Sequence, residues 1–149
     1  LDTAEWHIPA EKMKMKRRHI VPLTTQALVV LEELRSYTGA ERWLFPSARD
    51  ATRPISDAAA RLALRGMGFN REVITPHGFR AMFSTWANER EENPDVIEAA
   101  LAHQSKNQVR AAYNRAEYVD QRRKLLQDWA DWLESLSASN EADTDRREV

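Results

Sequence analysis

Thr75-Pro76-His77-Gly78-Phe79-Arg80 is the stretch on which the fold turns. A proline at the first helical position gives up no needed hydrogen bond, and a threonine ahead of it caps free amides. The stretch therefore predicts a helix from Pro76 to about Glu91 that opens with His77. His77 and Arg80 lie three apart and share one face near its amino end, where backbone amides favour an anion. A phosphate fits there. Alone, such a pair is more often a polar first-turn residue beside a solvated helix charge, so the neighbouring segments decide the reading.

Upstream, Glu5-Trp6-His7-Ile8-Pro9 and His19-Ile20-Val21-Pro22-Leu23 are short runs rich in β-branched and aromatic residues. They flank a basic stretch like two arms of a hairpin. On a strand-like arm Lys12, Lys14 and Lys16 would share one face and Met13 and Met15 the other, although such a run is ordinarily a solvated tip. Thr24 or Thr25 caps a helix with apolar Leu28, Leu31 and Leu34, and Gly39 ends it. Trp43-Leu44-Phe45-Pro46-Ser47 reads as a short buried extended piece. Ser56 then caps a second helix that stops near Gly66 and Gly68 and carries Arg61 and Arg65 on one face.

Downstream, Asn93-Pro94 repeats the start signal and opens a short helix through Ala102, leaving His103 at a helix end. After a polar break from Gln104 to Asn107, another helix begins near Gln108. Tyr113 follows His103 by ten positions, close enough for the chain reversal between two helices to bring imidazole and phenol to one cleft. From about Val119 to Leu136, residues Leu125, Leu126, Trp129, Trp132, Leu133 and Leu136 form an apolar stripe. Residues 137–149 lack core material and read as a flexible polar and acidic tail.

Composition narrows the class. The chain has 149 residues, 42% hydrophobic and 30% charged, which fits one globular domain over residues 1–136. No apolar run is long enough to span a bilayer. With no cysteine, thiolate metal sites, disulfides and cysteine nucleophiles are excluded. His7, His19, His77 and His103 show no close ligand pair, which argues against a metal protein. A net charge of −1 does not suit a uniformly basic coat for nucleic acid, so any anion-binding face is local.

The order of the segments is what converges. A lysine in a hairpin before Val21-Pro22-Leu23, then His77-Gly78-Phe79-Arg80, then Leu101-Ala102-His103, then Val109-Arg110-Ala111-Ala112-Tyr113-Asn114-Arg115 resembles the tyrosine recombinases, the phage integrases. The likeness is greatest to the satellite-phage type found in genomic islands and runs from about residue 5 to 134. It implies a mainly α-helical catalytic domain with a small antiparallel hairpin, an α+β fold truncated on its amino-terminal side. It also implies cleavage and rejoining of DNA through a 3′-phosphotyrosine link, without metal or nucleotide cofactor.

By that resemblance Tyr113 is the nucleophile and Tyr118 its rival, Arg80 clamps the scissile phosphate, and Lys14 protonates the leaving 5′ oxygen. His77 and His103 assist proton transfer and phosphate contact. Lys12, Lys16, Arg17, Lys106 and Arg110 are expected to bind DNA, with Lys106, Arg110 and Arg115 as apt to touch backbone as base edges. The implied partners are double-stranded attachment sites and other protomers, a tetramer on DNA, in the bacterial cytoplasm and not at a membrane. Family members carry one more catalytic arginine upstream of the hairpin, whereas the first arginine here is Arg17. That group is expected before Leu1, leaving this stretch by itself severely impaired. A non-catalytic DNA-binding module with the same fold is the alternative, disfavoured by the joint presence of Lys14, His77, Arg80, His103 and Tyr113.

Overall fold

The structure is a computed structural model that describes residues 3–14, 16–39, 42–103 and 117–145, with side chains as far as residue 138. Its elements are strand β1 (Glu5–Ile8), strand β2 (His19–Pro22) and helices α1 (Thr25–Thr38), α2 (Ala59–Gly66), α3 (Gly78–Glu89), α4 (Pro94–Ala100) and α5 (Val119–Asp145). This is the mainly α architecture with a small antiparallel hairpin that the sequence implies. The chain divides into two compact units, one of Leu1–Leu28 with Trp86–Val149 and one of Val29–Thr85.

In the first unit β1 and β2 pair antiparallel, Glu5 opposite Pro22 and Ile8 opposite His19. Leu23 N–H donates to the Ala4 carbonyl at 2.8 Å. The hydrogen-bonded pairs therefore alternate at Trp6–Val21 and Ile8–His19, and the Ile20 carbonyl points away from β1. Pro22, which has no N–H, falls in a pair that needs none. α5 packs on β2 and on α4, and Trp86, Ala87, Val96, Ile97, Leu101 and Leu125 are buried. Trp129 meets Trp86 edge-on at 5.1 Å and stacks on Trp132 at 5.1 Å. The Arg90 guanidinium lies 4.6 Å from the centre of the Trp86 ring, a favourable cation–π distance. At the start of α1, the Gln26 amide donates to Asp131 and Glu134 of α5 at 2.8 and 2.9 Å.

In the second unit Leu64 and Phe83 are buried. α2 closes with a left-handed Gly68 (φ 89°). There Phe69 N–H bonds to Leu64 C=O and Gly68 N–H to Arg65 C=O, both at 3.0 Å, the Schellman pattern for satisfying terminal carbonyls.

Several expectations are revised. Ser56 does not cap α2 with its side chain: it offers its carbonyl to Ala59 N–H, and Ala58 is the flanking residue. Trp43–Ser47 is not a buried strand. Leu44 and Phe45 are exposed, and Phe45 and Ser47 join the main chain of Ile55 and Arg53 around a single bridge of Pro46 with Pro54. α5 continues to Asp145, past Leu136, where the apolar stripe ends. The apolar stripe is buried only in its first half: Leu125 is covered, Leu133 and Leu136 are exposed.

Candidate active site

Helix α3 begins two residues later than its start signal. Thr75 C=O accepts from Gly78 N–H at 2.8 Å and the Thr75 hydroxyl oxygen accepts from the same group at 3.1 Å. Proline second in a four-residue turn favours this closure, so Thr75-Pro76-His77-Gly78 is a turn that precedes the helix. The His77 carbonyl then accepts from Arg80 N–H at 3.1 Å and Ala81 N–H at 3.4 Å, which makes His77 the capping residue and Arg80 the third residue of the helix. In a capping box, side chains at those two positions each reach the other residue's main chain across the first turn. Both residues are exposed. An imidazole, a guanidinium and the positive end of the α3 dipole are thus placed at one helix end, where a phosphate is favoured.

His103 is fixed by the end of α4. That helix opens as expected, with Asn93 accepting from Asp95 N–H at 2.9 Å and Pro94 in its first turn. It ends at Ala100 rather than Ala102. Ala102 takes the left-handed conformation (φ 53°), so that Ala102 N–H bonds to Ala99 C=O at 3.1 Å and His103 N–H to Glu98 C=O at 2.9 Å. The same Schellman closure appears here without glycine, at a cost of about 1 to 2 kcal/mol for an L residue. It brings His103 Nδ1 to 3.2 Å from the Glu98 carboxylate.

Lys14 lies in the connection between the hairpin strands, as expected, but not on a strand. Ala10–Lys12 form one 3-10 turn, and Lys12, Met13 and Lys16 N–H groups bond to Pro9, Ala10 and Met13 carbonyls at 3.0 to 3.1 Å. Lys16 is left-handed (φ 52°), and its ammonium approaches Glu11 C=O at 3.4 Å. A common face for Lys12, Lys14 and Lys16 is therefore not formed: turns replace the alternation that an extended arm would give. Lys12, Lys14, Lys16, Arg17 and Arg18 are all exposed.

His77 and Arg80 belong to the unit of Val29–Thr85, Lys14 and His103 to the other. Tyr113, Lys106, Arg110 and Arg115 lie outside the described residues. Tyr118 is half-buried, left-handed (φ 49°) and accepts Arg122 N–H on its carbonyl at 2.8 Å, ahead of α5. An open groove of about 560 Å³ lined by Arg65, Phe69, Asn70, Arg71 and Glu72 contains none of the motif residues.

The sequence reading missed Arg122 and Arg123. Arg122 is 2% exposed. Its Nη1 donates to Ile20 C=O at 2.7 Å and its Nε to Glu117 C=O at 2.8 Å. Burial pulls its guanidinium below the usual arginine value, opposed by the Glu117 carboxylate; an arginine stays charged at neutral pH regardless. Arg123 grips the other strand, with Nη2 2.6 Å from the Glu5 carboxylate and Nη1 3.4 Å from Ala4 C=O. The hydrogen bond from His7, with the bond and charge of Arg123, holds Glu5 below the ordinary carboxylate range. The signal for Arg122 was present: the stripe Leu125, Trp129, Trp132, stepped back by three, lands on it.

A mainly helical chain with a basic antiparallel hairpin and a His-x-x-Arg helix start is the catalytic-domain architecture of the tyrosine recombinases. Residues 1–119 match the Phage integrase family. Over 139 residues the chain is 42% identical to prophage integrase IntA of Escherichia coli K12, covering 93% of this chain and 33% of that protein. It is 38% identical over 154 residues to the integrase of Enterobacteria phage P4 (89% and 34%), and 39% over 128 residues to that of Shigella phage Sf6 (85% and 33%). No solved structure matches significantly. The chain belongs to the phage integrase family, as a tyrosine recombinase of satellite-phage type. It spans about a third of the length of the curated relatives it matches. Among the described residues no helix is long and apolar enough to cross a membrane.

Proposed function

We propose that residues 1–136 form the carboxy-terminal part of the catalytic domain of a site-specific DNA recombinase. The enzyme cleaves and rejoins attachment-site DNA through a 3′-phosphotyrosine intermediate, to integrate or excise a mobile element. The observation that carries this reading is the pairing of His77 and Arg80 at the cap and third position of α3, in a chain of this family.

The chemistry matches the residue types. A phenol with pKa near 10 is ionised to only about one part in a thousand at neutral pH, a deficit of roughly 4 kcal/mol. Cations on the non-bridging oxygens and proton donors on the bridging ones lower the barrier. Tyr113 attacks phosphorus, Arg80 at the positive end of the α3 dipole holds the phosphate, and Lys14 gives its proton to the departing 5′ oxygen. His77 and His103 serve phosphate contact and proton transfer, with Glu98 orienting the His103 ring. Lys12, Lys16, Arg17, Lys106 and Arg110 contact the DNA, and phosphate contacts among them position the protein without encoding bases. A further arginine from upstream of the hairpin completes the clamp, so residues 1–149 alone cleave poorly, by about 3 kcal/mol or more in barrier. The full-length enzyme works as a tetramer on DNA in the bacterial cytoplasm.

The test incubates the full-length protein with nicked attachment-site DNA and follows covalent protein–DNA adduct. Wild type and Tyr118→Phe should form it and Tyr113→Phe should not. An adduct that survives Tyr113→Phe moves the nucleophile to Tyr118, and none from wild type supports a non-catalytic module.

A further inference from the structure

We propose that Arg122 is a positioning residue: it locks the Lys14 hairpin to the amino end of α5, and so sets the proton donor against the leaving oxygen. The inference rests on the roles proposed above for Lys14 and Tyr113.

Arg122 grips main chain on both sides, Ile20 C=O on β2 at 2.7 Å and Glu117 C=O at 2.8 Å. Main-chain carbonyls report backbone position irrespective of side chain, and a guanidinium's planar fork sets the angle between its two bonds. The Ile20 carbonyl faces out from the hairpin, so Arg122 also satisfies the exposed edge of β2. Around this joint Arg18 reaches the Glu117 carboxylate at 3.8 Å and Arg123 reaches Glu5 on β1 at 2.6 Å. The connection bearing Lys14 follows its strands through its own turn hydrogen bonds.

A buried charge is an expensive way to hold a helix on a hairpin, since well-packed apolar residues often serve stability equally. What an apolar side chain cannot do is fix two carbonyls in one plane. That is the demand of proton transfer, where donor and acceptor must come within hydrogen-bond reach.

In the step at issue the Tyr113 oxygen forms a bond to phosphorus, the P–O5′ bond breaks, and the Lys14 proton passes to O5′. With sulfur in place of that oxygen the leaving thiolate, of pKa near 8.5, departs without a proton. Full-length Arg122→Lys, which keeps the charge and loses the fork, should cleave ordinary nicked DNA about 100-fold more slowly. It should cleave the 5′-thio substrate near the wild-type rate, as Lys14→Ala does. Equal losses on both substrates, or none, overturn the proposal. If Arg122→Lys fails to fold by circular dichroism, Arg123→Gln, which loosens the other strand, should show a smaller loss confined to the oxygen substrate, and an equal loss on both overturns it. A wild type without Tyr113-dependent adduct on either substrate overturns the functional reading itself.

Discussion

Arg122 Nη1 donates to the Ile20 carbonyl at 2.7 Å across 102 residues of sequence, joining the first turn of α5 to the outer edge of β2. Removing the side chain takes the partner from the Ile20 and Glu117 carbonyls and the packing of a buried guanidinium from the junction. Arg122→Ala should lower unfolding free energy by about 2 to 4 kcal/mol in denaturant titrations. A change under about 0.5 kcal/mol would mean the junction is held elsewhere.

Glu5 gives the same junction an acid sensitivity. His7 and Arg123 depress its carboxyl in the folded chain, so its contribution is present above the ordinary glutamate range. It is lost as pH falls through that range, near 4, and below it. The melting difference between wild type and Glu5→Gln should therefore be greatest near neutrality and vanish in acid. A difference independent of pH would contradict the pairing.

Ala102 holds the turn into His103 in a conformation that favours glycine. Ala102→Gly removes the left-handed strain and adds unfolded-state entropy. Its net effect should be a gain of about 0.5 to 1 kcal/mol. A loss of stability would show that the turn is not left-handed.

Gly78 is not demanded by its surroundings. A Cβ there would meet Ile74 Cγ1 at 3.5 Å and the Thr75 hydroxyl oxygen at 3.6 Å, ordinary contacts. Gly78→Ala should raise helix stability by up to about 1 kcal/mol, and, if a phosphate seats on this turn, slow DNA cleavage on the order of tenfold. Unchanged cleavage would remove the phosphate from the α3 amino end.

The hairpin, the approximate start of α3 and the Asn93 cap were legible because each rests on local chemistry: β-branched runs, a proline in the turn just ahead of a helix, an Asx side chain. Trp43–Ser47 was misread because apolar composition does not report burial when tertiary partners are few. Lys14 was placed correctly on the hairpin connection, but turns broke the alternation assumed for its neighbours. Arg122 escaped notice because charge suggests solvent, although its helical phase put it on the apolar stripe. His77 and Arg80 were visible as a pair, yet only the main-chain bonds to the His77 carbonyl reveal it as the cap.

The central claim is that Tyr113 carries the DNA. The direct measurement traps the covalent adduct of the full-length protein on nicked attachment-site DNA, digests it, and locates the nucleotide-bearing tyrosine by mass spectrometry. The modified residue should be Tyr113, with Tyr118 unmodified; a nucleotide on Tyr118, or on neither, contradicts the account.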